Sequence, residues 1–204
     1  PDGMMIYGAS AGWQLGQSAR FVGDYDADGY DDIVVSAIFS DAIASNAGQS
    51  FLIFGSPGPV FNAIDVSTLS GGSGFKVSST EVWSIIGHSV DGGDFNGDGI
   101  SDLLVSSNGK GINGKSGNGA AFVIYGNDGG SYSNIDVDTL LSSEGFAVYG
   151  ENASDSMSHS LSSGGDFNAD GIDDLLLGAY INAEGGSSSG AGYMVMGKDG
   201  TSRS

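Results

Sequence analysis

The stretch Gly93–Ser107 reads GDFNGDGISDLLVSS, with oxygen-bearing side chains at alternate positions, a glycine, one more aspartate and then an apolar run. Counted from Asp94, Asp94, Asn96 and Asp98 stand at positions 1, 3 and 5, Gly99 at 6, Ile100 at 7 and Asp102 at 9. Calcium is a hard cation that takes about six to eight oxygens, and this spacing lets a short loop wrap around one. Glycine at position 6 permits the sharp turn that brings position 9 back, while position 7 would offer only its backbone carbonyl. An EF-hand also requires a bidentate Glu at position 12 and a helix on each side. Here position 12 is Val105, inside an apolar run, so the loop leads into a strand. A dockerin-like loop fails for the same reason.

The loop occurs three times. DYDADGYDD supplies Asp24, Asp26, Asp28, Tyr30 and Asp32, and DFNADGIDD supplies Asp166, Asn168, Asp170, Ile172 and Asp174. The plain alternative is a set of solvated Asp-Gly hairpin turns. Three copies that keep every oxygen-bearing position while their neighbours change favour metal ligation. Without a cation, each loop crowds carboxylates against one another, a repulsion that a divalent ion removes. The expectation is three calcium sites, one per copy.

Around the loops the whole chain repeats, which is the first thing to seek in a sequence of this kind. GMMIYGASAGWQLG (Gly3–Gly16) aligns without gaps on Gly74–Gly87 and on Gly145–Ser158, with starts 71 residues apart. The linker IDVSTL (Ile64–Leu69) returns as IDVDTL (Ile135–Leu140). The repeats run 3–73, 74–144 and 145–204. In the second, Phe75–Ser78, His88–Gly92, Leu103–Ser106 and Ala121–Tyr125 read as four short strands bounded by Gly, Ser and Asn clusters. At most one helical turn is expected, near Thr68–Leu69. Four strands per repeat predicts an all-β fold of β-propeller blades, three in number and continuous as one domain. A β-sandwich is the runner-up, but it does not usually repeat its sequence.

Composition agrees. Among 204 residues there are 37 glycines and only 3 prolines, as tight turns between short strands require. The formal charge is −19, from 25 acidic and 6 basic residues. A nucleic-acid partner or an anionic membrane surface would need a basic face that such a chain lacks. There is no cysteine, which excludes disulfide scaffolds and thiolate chemistry. No apolar run is long enough to span a membrane. The chain opens at Pro1 rather than on methionine, the expectation for a mature or excised piece.

With these residues in hand, the chain resembles FG-GAP repeat proteins, the propeller repeats of integrin α-subunit heads and many bacterial extracellular proteins. The matching pattern runs through Leu15-Gly16-Gln17-Ser18, Gly23-Asp24, Asp28-Gly29, Asp32-Ile33-Val34-Val35 and Phe51–Gly55, and it recurs in both other repeats. The FG element departs from its namesake as Leu15-Gly16, Ile86-Gly87 and Met157-Ser158. The GAP element stands as Ser36-Ala37-Ile38, Ser106-Ser107-Asn108 and Gly178-Ala179-Tyr180. The resemblance implies a calcium-stabilised propeller, usually of seven blades, secreted or on a cell surface, serving adhesion or protein interaction. Three blades do not close a ring. Further blades or self-association, for instance two chains making six blades, would cover the open faces.

Other motifs read as structure. GASAG (Gly8–Gly12) has the letters of a nucleophile elbow but no helix pattern after it. Asn108–Gly119 contains the letters of a phosphate loop between two strands rather than before a helix. His88 and His159 occupy nearly equivalent places, with Gln17 at the third, and a repeated position points to a structural role. Neighbouring pairs such as Asp31-Asp32 point to opposite faces of a strand and do not make a glycosidase pair. Asn152-Ala-Ser154 is a glycan acceptor only in a eukaryotic secretory host. No enzymatic activity is expected. The alternative function is carbohydrate binding through aromatics such as Trp13, Trp83 or Tyr180, alone or beside a polysaccharide-degrading enzyme.

Overall fold

In the computed structural model the described residues are 3–58 and 63–199, and they form an all-β chain with two short 3-10 turns. The first repeat holds β1 (Ile6–Tyr7), β2 (Leu15–Gly23), β3 (Asp32–Ala37), β4 (Gln49–Ile53) and β5 (Ile64–Asp65). The second holds β6 (Gly74–Ser78), β7 (Ile86–Gly93), β8 (Asp102–Ser107), β9 (Ala120–Ile124) and β10 (Ile135–Asp136). The third holds β11 (Gly145–Tyr149), β12 (Ser160–Gly165), β13 (Asp174–Ala179) and β14 (Ala191–Val195).

Apart from the two-stranded pair β1-β5, these strands make three sheets that stack face to face, the blades of an open propeller. The first is ordered β2-β3-β4-β6 with β10 added in parallel at the rim, the second β7-β8-β9-β11, and the third β12-β13-β14. Neighbouring strands within a blade run antiparallel. Strands β2, β7 and β12 lie beside one another along the common axis.

One expectation is corrected here. Phe75–Ser78 does not share a sheet with the other three strands of its repeat. It lies in β6, which pairs with β4 so that Phe51 faces Lys76 and Ile53 faces Gly74. Likewise β11 closes the second sheet, with Phe122 opposite Ala147. Sequence repeat and blade are therefore out of phase by one strand. The linker carries the chain outward before it returns. In each linker a two-residue parallel strand precedes a 3-10 turn, Val66–Thr68 or Val137–Thr139, whose first turn is capped by Asp65 or Asp136.

Glycine fixes where the outer strand docks. Gly74 adopts φ 137, and a Cβ there would fall 2.1 Å from Leu52 O. The same atom on Gly145 would fall 2.0 Å from Val123 O. Only a residue without a side chain lets the strand start so close to its neighbour.

In the second blade the apolar runs are continuous because it is covered on both faces. Leu103 and Val105 pack with Val34 and Leu52 of the first sheet and Tyr25 of its acidic loop, while Leu104 packs with Phe95 and Leu175 towards the third. The third sheet has no such cover on its far face among the described residues. Phe167, Leu176 and Met194 are 73%, 51% and 42% exposed, although their counterparts Phe95, Leu104 and Val123 are buried.

Gly74→Ala combines an unfavourable φ with a backbone clash, so chemical denaturation should show stability lower by about 2–3 kcal/mol. Gly72→Ala, where an added Cβ meets nothing within 4 Å, should leave it nearly unchanged.

Candidate functional site

Each acidic loop connects the axial strand of a blade to the next strand, and its first aspartate organises the turn. Asp24 Oδ1 accepts from the Asp28 amide at 3.0 Å and Oδ2 from Gly29 at 2.9 Å. Asp94 does the same for Asp98 and Gly99, and Asp166 for Asp170 and Gly171. The position-5 carboxylates accept from the position-7 amides of Tyr30, Ile100 and Ile172 at 2.9, 2.9 and 3.0 Å. The backbone turns left-handed at position 6 and also at position 4, where Ala27, Gly97 and Ala169 have φ of 56, 73 and 60. The alternation of oxygens did not reveal that second turn, although a small residue at position 4 in every copy is its trace.

The ninth position serves differently from the rest. Asp32, Asp102 and Asp174 are buried, and each holds two backbone amides, one on each oxygen. One amide belongs to position 2 of the same loop (Tyr25, Phe95, Phe167), at 2.8, 2.9 and 2.8 Å. The other belongs to the glycine just past the third strand of the blade (Gly55, Gly126, Gly197), at 2.7, 2.9 and 2.9 Å. Each aspartate thus ties its loop to the sheet. Burial raises the Asp32 pKa to about 6 and that of Asp102 to about 7, against the pull of the two amides and with help from nearby carboxylates.

Positions 1, 3 and 5 converge in the first loop, where Asp24, Asp26 and Asp28 each offer an oxygen within 4.8 Å of the others. Asp26 Oδ1 is buried there without a hydrogen-bond partner among the described residues. Burial, then the charges of Asp28 and Asp24, raise its pKa. A crowded acidic trio with an orphaned buried oxygen is the donor set a hard cation satisfies. In the other loops Asn96 and Asn168 turn their amide nitrogens towards Asp98 and Asp170, at 2.9 and 2.8 Å. Their side-chain oxygens accept from the same residues' backbone amides.

Successive loops dock on one another through backbone. Ser101 donates to Asp24 O at 3.3 Å and Asp173 to Asp94 O at 2.9 Å. Asp173 Oδ2 also accepts from the Asp94 amide at 3.0 Å.

The remaining motifs fall elsewhere. GASAG forms a turn that runs on towards strand β2, without a helix. Lys110 of the glycine-rich loop pairs with Glu81 and Asp138 at 2.5 and 2.6 Å, and Lys115 donates to Glu151 O. Burial opposes ionisation of Asp138, but hydrogen bonds from Lys110 and Thr80 hold its pKa down at about 2. His88 and His159 pack at a tilt with ring centroids 4.3 Å apart, and Tyr180 packs on His159 in the same way at 4.3 Å. Burial and the neighbouring His88 lower the His159 pKa.

Comparison with known proteins names the unit. Residues 86–124 match the family model described as FG-GAP repeat. That span is an FG-GAP repeat. It opens on the first residue of β7 and closes on the last of β9, so the FG-GAP unit carries three strands and their loop, in phase with the blade. The chain is also 35% identical over 111 residues to phosphatidylinositol-glycan-specific phospholipase D of Dictyostelium discoideum, covering 48% of this chain. It spans 11% of that protein's length. No helix among the described residues is long and apolar enough to cross a membrane.

Two measurements follow from the clamp. Asp102→Asn leaves one oxygen for two buried amides, and the variant should lose about 1–3 kcal/mol in denaturant titration. The folded-state pKa values of Asp32 and Asp102 are raised, so their contribution is full below the unfolded value, about 4, and is lost as pH rises through about 6–7. Asp138 is depressed, so its contribution is lost as pH falls from about 4 towards about 2. Protein kept in chelator should therefore melt at a higher temperature at about pH 5 than at about pH 8.

Proposed function

We propose that the three acidic loops bind Ca2+ and that the chain is a calcium-stabilised, non-enzymatic interaction module of a secreted or cell-surface protein, with adhesion as its role. The observation that carries the metal reading is Asp26 Oδ1, buried beside Asp24 and Asp28 without a hydrogen-bond partner among the described residues. Asp24, Asp26, Asp28 and Asp32 would hold the first ion with the Tyr30 carbonyl. Asp94, Asn96, Asp98, Asp102 and Ile100 would hold the second, and Asp166, Asn168, Asp170, Asp174 and Ile172 the third. A bound ion supplies charge that neutralises the loops; the chain supplies their shape. FG-GAP repeats support the interaction role, as does the exposed apolar face of the third blade. That face and the edge of β14, unpaired among the described residues, suit a further blade, from the same polypeptide or from a second copy.

Calorimetric titration of calcium into the metal-stripped chain should return three sites, and Asp26→Ser should remove one. At a free concentration about 100 times Kd, each site should stabilise the fold by about 2.7 kcal/mol, read as a higher melting temperature. Absence of heat together with an unchanged melt in chelator would overturn the metal reading.

A further inference from the structure

Both tryptophans of the chain lie in one cleft. Trp13 and Trp83 line an open hollow of about 380 Å3 with Phe39, Asp41 and Asn46. It lies where the turn before β2 meets the turn before β7, at the end of these strands opposite the acidic loops.

Folding alone does not account for Trp83. Its φ is 60, in the left-handed region, and the same position in the other repeats is Gly12 (φ 85) and Ser154 (φ 64). Small residues suit such a backbone, whereas a large aromatic is disfavoured there. The conformation is held from both sides. The Trp83 amide donates to Ser45 O at 2.9 Å, and a Cβ on Gly109 would lie 1.9 Å from Trp83 O. The residue is nevertheless 57% exposed. A bulky side chain kept in a disfavoured backbone and presented to water is the kind of strain that gathers at binding sites.

The walls select the ligand. Trp13 is anchored against the apolar cluster on the outer face of the first sheet, and its carbonyl accepts from the Phe39 amide at 3.3 Å. Indole and phenyl rings present flat, electron-rich faces. At the rim Asp41 Oδ1 accepts from the Asn46 amide at 2.6 Å, which fixes the turn that carries a carboxylate and a carboxamide. Among the described residues the lining includes no lysine or arginine, so a phosphate, sulfate or carboxylate would meet no opposite charge from them. A pyranose ring has apolar C–H faces and a hydroxyl edge, and it matches both parts. We infer that this cleft binds a neutral sugar ring, stacked on Trp83 and Trp13 with its hydroxyls towards Asp41 and Asn46. This deepens the carbohydrate alternative and stands apart from the calcium loops. Tyr180 packs against His159 and takes no part.

Because both tryptophans belong to the cleft, intrinsic fluorescence reports it directly. The intact chain in saturating calcium is titrated with neutral gluco-, manno-, galacto- and xylo-oligosaccharides, with choline as a cationic comparison. At least one neutral series should give a saturable change in the millimolar range. Trp83→Gly installs the residue of the equivalent position 12, so it should melt no lower than the parent while weakening binding about tenfold or more, about 1.4 kcal/mol. Silence across all four series would overturn the inference, as would a response to choline alone or undiminished binding by a folded Trp83→Gly. Any of these would leave the calcium titration unaffected.

Discussion

Asp102 is out of contact with water, and its two oxygens hold the amides of Phe95 and Gly126. That single side chain joins the start of an acidic loop to the end of the blade's third strand, and Asp32 and Asp174 repeat the arrangement. A buried carboxylate is costly unless hydrogen bonds or an opposite charge compensate it. Two amides meet part of that cost, and the surrounding carboxylates of the loop add to it. The arrangement is therefore stable in proportion to how well the loop's charge is neutralised. This is why loops on the rim of a sheet matter to strands in its interior, and why one chemistry recurs in every blade.

The clamp also places the blades. With the loop held against its sheet, the carbonyl of Asp24 or Asp94 is presented to the amide of Ser101 or Asp173 in the next blade. Continuous apolar strands then stack on both faces, as Leu103, Leu104 and Val105 do. Each interface is the same solution applied again. The consequence is an open end, because the third blade presents the same face as its predecessors without the cover they have among the described residues.

Much of this was legible in the sequence for definite reasons. The 71-residue spacing, the alternating oxygens and the valine at position 12 led to strands, blades and loops, because each is a local property. The phase of the blade was not legible. GFKVS (Gly74–Ser78) looks like the first strand of its own repeat, and only its pairing with β4 across the linker shows otherwise. The parallel pairs of Ile64-Asp65 and Ile135-Asp136 were hidden for the same reason, being two residues long and set by distant partners. The special standing of position 9 is hidden because an aspartate that also ties two backbone amides looks identical in sequence to one that does not. Trp13 and Trp83 stand in different repeats, and their shared cleft depends on those repeats meeting.

The most direct test is amide hydrogen exchange, resolved by residue, with excess calcium in the buffer. The six amides held by the ninth-position aspartates, those of Tyr25, Gly55, Phe95, Gly126, Phe167 and Gly197, should exchange only through global unfolding, as slowly as the centres of β3, β8 and β13. Exchange of these six at the rate of exposed turns, while the strands stay protected, would contradict the claim that the clamp holds loop and sheet together.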